Sequence, residues 1–308
     1  MRPDELADVE TMFEEFPWLT IAYIADEKDA TAPYGVRFFS CFIDRTCEDD
    51  GKGRRKPKYR VELPGHPILG NGKSDNQNHA IIFTRGQVLQ AIDANQEGFL
   101  EESLKVCCAL AEFDVKPAGA LSGPAIVGFS EHCFSGLGTM GDFAAASEQV
   151  FGSLVQRVMT YPLGCRYHYG HPDMLDKCKM MAQGGISKAT KGLNLSEDIF
   201  AGMDGTLRGH SVVHREYLYL GKGRDMGFLS ILGFFCKLSS GTAQMTTSRQ
   251  CYRLGTRLGL ARGMGYYIAH IGFYLGQLHF LYAAEDRTSP DLARTATNVS
   301  GRSVSRFL

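Results

Sequence analysis

The stretch between Arg262 and Glu285 sets the strongest limit on how this chain can fold, because it contains no charged residue. Residues 263–284 are long enough to cross a bilayer as a helix, which takes about 20 mostly apolar residues. Polar residues such as His270 and Gln277, together with several glycines, are equally typical of a helix buried inside a soluble protein. The segment is therefore a candidate transmembrane or interface helix.

Composition narrows the class of protein further. The chain has 308 residues and is 44 % hydrophobic, so it can bury a large core. Its 33 basic and 34 acidic residues nearly cancel, which argues against a nucleic-acid partner, since such binding needs a basic excess. The nine cysteines are odd in number and form no CxxC pair, a pattern that indicates reduced thiols in a cytosolic setting.

The local patterns predict both strands and helices. Residues 18–43 contain two runs rich in β-branched and aromatic residues, and "YRVELPG" follows as a returning strand. Residues 97–114 have the spacing of a helix, and a second helix is predicted from Thr139 until Pro162 stops it. The apolar face expected for the first helix consists of Leu100, Leu104, Cys107, Cys108 and Ala111.

The order of these elements predicts an α/β domain with its ligand at the loops. Short apolar runs alternate with glycine-rich turns over residues 164–235, as they do in α/β folds with loops that face a ligand. We assign residues 1–262 to this domain. Residues 285–308 are polar and without periodicity, and they are predicted to be a disordered tail.

A first candidate site is the stretch "LGNGKSDNQNHAIIF". Its glycines permit a tight turn that approaches a ligand closely. Lys73 supplies a cation and Asn76 a hydrogen-bonding amide. The following "AIIF" is predicted to be a buried strand. The segment is interpreted as a polar loop that grips a phosphate or a sugar at a strand edge, or else as an ordinary polar turn; it matches no standard phosphate motif.

Three further segments bring carboxylates and cations. Asp93 stands in a stretch that imitates a calcium loop but lacks the final glutamate, so it is a contact for a sugar, a base or a metal, or a helix cap. Glu197 and Asp198 are adjacent and suit acid/base chemistry beside a phosphate, unless they belong to a solvated loop. Lys188 lies just upstream, in a glycine-rich loop suited to an anion or exposed as a surface turn.

The region before the uncharged stretch offers a last group of candidates. Lys237 follows a strongly apolar run, so it points either at a buried phosphate or out to the surface. Gln244 and Arg249 stand where an amphipathic helix at a membrane surface is expected. "RYHYGHPD" contains zinc-type ligands, but no spacing elsewhere completes a metal site, so its histidines are expected to pack in a loop.

Several long stretches together resemble one family. From about Trp18 to about Phe280, the chain is similar to the 1,3-β-glucan synthases of fungi and the callose synthases of plants. The motifs that carry the resemblance are "LPGHPILGNGKSDNQNHAIIFTRG", "IDANQEGFLEESLK", "RYHYGHPD", "GGISKATKGLNLSEDIFAGM" and "GKGRDMGF". Another stretch, "GDFAAASEQVFG", is closer to the fungal branch.

The resemblance implies a GT-A-like (Rossmann-like) glycosyltransferase domain on the cytosolic side of the plasma membrane. Its donor would be UDP-glucose and its product a 1,3-β-glucan chain, formed by an inverting transfer. A Rho-type GTPase would be a regulatory partner, and Mg²⁺ is a further possible component, although the chain lacks a DxD metal motif. Donor-binding and catalytic positions would be Lys73, Asp93, Glu197, Asp198 and Lys237, with Gln244 and Arg249 in an interface helix below them.

Two other functions stay open from the sequence. Members of this family extend well beyond both ends of the matched region, so the chain can also be a truncated, non-catalytic or regulatory fragment that binds a UDP-sugar or glucan. A third interpretation is a soluble transferase that uses another nucleotide sugar.

Overall fold

The computed structural model describes most of the chain up to residue 276. The described residues are 3–32, 35–51, 53–65, 67, 73–93, 95–134, 138–170, 172–186, 196–223, 227–272 and 275–276. Within them the chain is a mixed α/β protein with two separate sheets.

The first sheet is an antiparallel meander near the amino terminus. Helix α1 (Pro3–Glu15) precedes strands β1 (Thr20–Lys28), β2 (Val36–Asp44) and β3 (Tyr59–Leu63), which pair in the order β1-β2-β3. The central strand is the buried one, because β-branched and aromatic residues fit a pleated surface that is covered on a face. All three strands predicted from the sequence are confirmed.

The second sheet carries the candidate site. Its strands are β4 (Val88–Gln90), β5 (Gln96–Glu97), β6 (Ile126–Cys133), β7 (Met174–Asp176) and β8 (Val212–Lys222), in the order β4-β7-β6-β8-β5. β6 and β8 run parallel at the centre and the other pairs are antiparallel. β6 is almost wholly buried, as a strand covered on both faces must be. Because β6 and β8 are parallel, their carboxyl ends meet at the same edge.

Helices surround this sheet. The predicted helix after Thr139 is confirmed as a nearly continuous helical run that ends before a cis Tyr161–Pro162 peptide. The helices are α2 (Lys73–Ala80), α3 (Leu100–Leu104), α4 (Val106–Ala111), α5 (Gly138–Gln149), α6 (Gln156–Thr160), α7 (Lys177–Ala182), α8 (Glu197–Leu207), α9 (Phe228–Thr246), α10 (Arg249–Arg257) and α11 (Leu260–Tyr266), with 3₁₀ turns at Ile81–Phe83 and Glu112–Asp114 and π-helical turns at Val150–Val155 and Tyr267–Gly272.

Two apolar clusters hold the helices around the sheet, and α8 contributes to both. What we call the sheet-side cluster consists of Ile81, Ala91, Ala125, Ile126, Tyr169, Leu175, Met180, Ile186, Ala201 and Val212. The C-terminal cluster consists of Met159, Cys165, Tyr167, Phe200, Met203, Met245, Leu254, Tyr266 and Ile271. Burial of such side chains is the main favourable term in folding.

Two local predictions are wrong. "AIIF" is not a strand: it ends α2 and forms a 3₁₀ turn, because a short apolar run fits a helical turn as well as a strand. The helix expected over 97–114 is divided into α3 and α4, and its predicted apolar face does not face the core. Leu100 and Leu104 are 82 % and 77 % exposed, while Ala109 is buried instead.

A transmembrane helix over residues 263–284, one of the two interpretations of this segment, is not supported. In the portion of the chain described here, no helix combines the length and apolar character that crossing a membrane requires. Residues 260–272 form α11 followed by a π-helical turn, and one face of this segment packs into the C-terminal cluster through Tyr266 and Ile271. Residues 277–284 and the predicted tail, 285–308, lie outside the described residues.

Candidate active site

The adjacent carboxylates begin helix α8, and only one of them is within reach of solvent. Glu197 is the first residue of the helix and is 6 % exposed. Asp198 follows it and is partly exposed, with its carboxylate Oδ2 at 2.8 Å from Nε2 of His168. The loop after Pro162 presents this histidine. Of the two acids predicted from the sequence, Asp198 is therefore the one that can meet a ligand while paired with an imidazole.

The environment of His168 favours its charged form. Burial of the ring lowers the pKa of His168, but the negative charge of Asp198 and the hydrogen bond to it outweigh burial, so the pKa is raised above its ordinary value of 6.5. Phe151 packs edge-on against the ring, with centroids 5.2 Å apart. The other ring nitrogen, Nδ1, is buried and has no hydrogen-bond partner among the described residues. The ring is thus fixed by Asp198 on one side and by apolar contact on another.

A second histidine lies below this pair. His270 belongs to the π-helical turn that follows α11 and is 3 % exposed. Burial, together with the charge of His168, lowers the pKa of His270 to about 4, so its ring is neutral at pH 7. Its ring packs at a tilt against that of Tyr266, with 5.3 Å between the centroids. The uncharged segment singled out in the sequence thus brings His270 close to the Asp198–His168 pair.

We expect the pKa of His168 to depend on Asp198. In a histidine NMR titration, the native chain should give a pKa above 6.5 for His168, and Asp198→Asn should lower it below 6.5, since burial then acts without the compensating charge. The His168–Asp198 pair stabilises the fold fully at a pH below the unfolded-state pKa of this histidine. The stabilisation is lost as the pH rises through the raised folded-state pKa of His168.

His210 provides the control for this titration, because burial lowers its pKa and its Nδ1 lies 2.8 Å from Ser122 Oγ, away from Asp198. Its titration should not change in the variant. If both histidines shift together, the substitution has disturbed the fold, and if neither shifts, the Asp198–His168 contact is not formed in solution.

A glycine in α8 lets the helix approach the segment that carries His168. A Cβ built on Gly202 would overlap the backbone carbonyl of Tyr167, the residue before His168. Met203 and Phe200, on either side of Gly202, join Tyr167 in the C-terminal cluster. Close backbone contact at this point therefore sets the spacing between Asp198 and His168.

Gly202→Ala is expected to destabilise the fold by about 1–3 kcal/mol, because the new methyl group has no room and α8 must shift. Gly255→Ala in α10 is the matched control: a Cβ there meets nothing within 4 Å, so alanine should stabilise the helix by about 0.5–1 kcal/mol. Urea denaturation of both variants measures the difference. Equal stability of the two would mean that α8 does not lie against Tyr167.

The third predicted carboxylate belongs to an ion cluster at the carboxyl ends of β6 and β8. Asp93 Oδ2 lies 2.8 Å from Nζ of Lys222, and Oε1 of Glu131 lies 3.0 Å from the same ammonium. The amide of Gln96 connects the two acids: its Oε1 accepts a hydrogen bond from the backbone N–H of Asp93, and its Nε2 lies 3.4 Å from Glu131. Asp93 is thus neither a helix cap nor isolated, and it meets Lys222 and Glu131 at the sheet edge.

The segment from Arg166 to Asp173 lies between this ion cluster and the Asp198–His168 pair. A Cβ on Gly170 would lie 3.4 Å from Glu131 Oε2 and 3.6 Å from Asp173 Oδ1, so both carboxylates border Gly170. Asp173 is fully buried, forms an ion pair of 2.7 Å with Arg166, and accepts hydrogen bonds from the N–H groups of Gly170 and Phe129. His168 lies between Arg166 and Gly170 in sequence and interacts with the charges of Arg166 and Asp173. Asp93 and Asp198 are thus linked through a series of neighbouring charged side chains, which we call the polar layer: Lys222, Glu131, Asp173, Arg166 and His168.

Helix α2 meets the turn that leads to Lys188. Asn78 packs directly against Gly185, whose φ of +121° favours glycine. His79 fixes the helix to the first sheet: Ser40 Oγ is 2.8 Å from its Nδ1, and Asn76 Oδ1 is 2.8 Å from its Nε2. Lys73 is the first residue of α2, and Lys188 itself lies outside the described residues.

The remaining candidates lie on α9 and α10. Lys237 is exposed on α9, Gln244 is half-buried near the end of the same helix, and Arg249 is exposed at the start of α10. Met245 and Leu254 anchor these helices in the C-terminal cluster, which α8 shares. Among the residues described, no ion pair joins Lys237 to Asp93 or Asp198.

Sequence reasoning missed three side chains of this site. His168 was expected only to pack in a loop, and Lys222 appeared only within the motif "GKGRDMGF", without a role. Glu131 was not considered at all, although a carboxylate inside the apolar run "AIVGFSEHC" is a signal, because glutamate is rarely buried without a partner. Within the described portion, no group of three or more histidine, cysteine, aspartate or glutamate side chains is arranged to hold a metal ion.

The family model and the curated relatives that match this chain point to the same family. The model of the family described as "1,3-beta-glucan synthase component" matches residues 1–285. The chain is 45 % identical to 1,3-beta-glucan synthase component FKS1 of Aspergillus niger over 92 % of its own length, and 36 % identical to callose synthase 10 of Arabidopsis thaliana over 96 %. It covers only 16 % of either relative, about a sixth of their length.

One solved structure gives a much more distant likeness. The mannosyltransferase PcManGT from Pyrobaculum calidifontis, in complex with GDP-Man and Mn²⁺, matches 75 % of this chain and 60 % of its own at 13 % identity and a TM-score of 0.42. A TM-score of 0.42 is too low for any feature of the mannosyltransferase's site to be transferred to this chain. The long match to the family model and the sequence identity to its members decide the assignment: this chain belongs to the 1,3-beta-glucan synthase component family.

Proposed function

We propose that this chain is part of the catalytic region of a 1,3-β-glucan synthase, has a GT-A-like fold, and transfers glucose from UDP-glucose to the growing glucan chain. The observation that carries the proposal is the polar layer that links Asp93 and Asp198. These two acids are distant in sequence and belong to different motifs, so their placement along one layer favours a common ligand.

The reaction is one displacement with inversion. The 3-hydroxyl oxygen of the acceptor attacks C1 of glucose, a C–O bond forms, and the bond from C1 to the β-phosphate oxygen of UDP breaks. The α-linked donor thus gives a β-linked product in one step. The acceptor loses its hydroxyl proton to a carboxylate, and a base in this position contributes about 10²–10⁴-fold to the rate.

Asp198 is the better candidate for this base. Its carboxylate is partly exposed, whereas Glu197 is buried at the start of the same helix. Nε2 of His168 lies 2.8 Å from Oδ2 of Asp198 and so orients the carboxylate, as a third group often orients a catalytic base. Glu197 has a role in holding the start of α8 rather than in moving a proton.

Cations and helix α2 are proposed to bind the diphosphate. Lys73 begins α2, and the backbone N–H groups at a helix amino terminus favour anions. Asn76 lies on the same helix, and the turn against which Asn78 packs leads to Lys188. Lys237 completes the set if α9 turns its exposed side toward the donor. Preorganised charges of this kind are usually the largest contribution to catalysis.

The proposal also includes the location of the domain in the cell. We place it at the cytosolic face of the plasma membrane, with Gln244 and Arg249 on helices that lie at the membrane surface. Arg249, Arg253 and Arg257 are exposed along α10, a distribution suited to anionic lipid headgroups. A Rho-type GTPase is the proposed regulatory partner.

A non-catalytic role is the competing proposal, because the chain covers a small part of its relatives. The two are separated by incubating the chain, in membranes that contain it, with radiolabelled UDP-glucose and measuring both UDP release and alkali-insoluble polymer. Polymer or UDP release supports the transferase. Binding of UDP-glucose without either product supports a fragment that only binds the nucleotide sugar, and preference for another nucleotide sugar in competition would overturn the glucan assignment.

A further inference from the structure

The ion cluster of Asp93, Glu131 and Lys222 has a geometry that ordinarily belongs to a metal site. Two carboxylates on different segments point at a single position, and a divalent cation such as Mg²⁺ is typically held by one or two carboxylates together with phosphate oxygens. Here the position between Asp93 Oδ2 and Glu131 Oε1 is taken by the Lys222 ammonium, at 2.8 and 3.0 Å. The residues at this edge of the sheet therefore do not fit a divalent cation.

The backbone holds Lys222 in this position. Lys222 ends β8, where it is paired with Cys133 of β6 on one side and with Gln96 of β5 on the other. The next residue is fixed as well, because the N–H of Gly223 donates to the carbonyl of Asn95 at 2.9 Å. The side chain of Lys222 is 12 % exposed, so its ammonium is confined between strands rather than free to leave for solvent.

We propose that Lys222 is an internal cation of the donor site, which holds Asp93 and Glu131 together in place of a divalent metal. This inference rests on the proposed function only in assigning Asp93 to the donor site. Two carboxylates and one ammonium leave the cluster with one negative charge, so Lys222 is not available to neutralise the diphosphate. Lys222 is accordingly a positioning residue, and the donor phosphates need other cations, such as Lys73 and Lys237.

The proposal predicts that removal of the ammonium creates a metal site. Lys222→Met keeps the length of the side chain and removes its charge, leaving two facing carboxylates. Mn²⁺ titration followed by electron paramagnetic resonance should show Mn²⁺ bound at least about tenfold more tightly by Lys222→Met than by the native chain, since a repelling cation has been replaced by an open anionic pair. Lys222→Arg, which keeps the charge, should bind Mn²⁺ no better than the native chain.

A double variant controls for charge repulsion. Lys222→Met combined with Glu131→Gln has the native net charge but only one carboxylate, and it should lose the gain in Mn²⁺ affinity. If Lys222→Met folds only with Mn²⁺ present and not with a chelator, this rescue supports the proposal equally. Native Mn²⁺ affinity equal to that of Lys222→Met, or failure of Mn²⁺ to rescue a misfolded variant, would overturn it.

UDP-glucose calorimetry on the same variants separates this inference from the proposed function. If Lys222→Met gains Mn²⁺ binding and also changes its affinity for UDP-glucose, Lys222 is an internal cation and Asp93 belongs to the donor site. The gain in Mn²⁺ binding with unchanged UDP-glucose affinity supports the role of Lys222 as an internal cation and removes Asp93 from the donor site.

Discussion

Asp198→Asn should lower glucan synthesis by about 10²–10⁴-fold while UDP-glucose still binds, because the amide occupies the same volume but cannot accept the acceptor's proton. The measurement is incorporation of labelled glucose into alkali-insoluble polymer by membranes that contain the protein, together with UDP-glucose affinity by calorimetry. The expected signature is a lower kcat with little change in KM, as for any group that acts in the transition state.

Two comparisons sharpen this test. Asp26→Asn changes an exposed aspartate on β1, in the other sheet, and should leave polymer formation unchanged. Glu197→Gln should act mainly through folding, because its carboxylate is buried at the start of α8. If Asp198→Asn retains near-native kcat while Glu197→Gln loses it with the fold intact, the base is Glu197 and the assignment to Asp198 is wrong.

Arg166→Met should destabilise the chain by about 3–5 kcal/mol, the range measured when one member of a buried ion pair is removed. Arg166 and Asp173 are 3 % and 0 % exposed, and the guanidinium also donates to Gln156 Oε1 and to the carbonyl of Val213. Without it, the Asp173 carboxylate keeps two backbone donors but loses its countercharge. Urea denaturation at pH 7 measures the loss of stability.

The matched control is an arginine at the surface. Arg157 is 3.4 Å from Glu216, and both side chains are well exposed, so Arg157→Met should change stability by no more than about 1 kcal/mol. A loss from Arg166→Met that is as small as this would show that the polar layer between the ion cluster and His168 is open to water, and the continuity of the site would then be in doubt.

Local sequence patterns were sufficient to predict the regular strands and helices. The strands within residues 18–43 were predicted from their β-branched and aromatic residues, and the helical run after Thr139 was predicted with Pro162 as its stop. The prediction failed at "AIIF" and on the face of α3, where the apolar run is too short for the period to distinguish strand from helix or inward from outward. The composition of the uncharged stretch after Arg262 allowed a long helix. Its described part is helical, with a π-helical turn at residues 267–272 that packs on the C-terminal cluster, and residues 277–284 lie outside the described residues.

For the candidate site, the sequence likewise predicted the types of residue but not where they lie relative to one another. Asp93, Glu197 and Asp198 were identified from their motifs, yet the sequence could not choose between the adjacent acids, since both have the same chemistry at nearly the same position. In the structure Glu197 is buried, whereas Asp198 is partly exposed and lies 2.8 Å from His168 Nε2. Whether Lys73, Lys188 and Lys237 share the donor's phosphates stays a prediction.

The sequence by itself determined the family, the three strands of the first sheet and the kinds of side chain available for proton transfer and charge stabilisation, because these follow from motifs and from local composition. Only the tertiary structure decided which of those side chains meet. The Asp93–Lys222–Glu131 cluster depends on the order of β5, β8 and β6 in the sheet, and the Asp198–His168 pair depends on a glycine that lets α8 lie against a distant backbone segment. Contacts of this kind join residues far apart in the chain, and no local pattern specifies them.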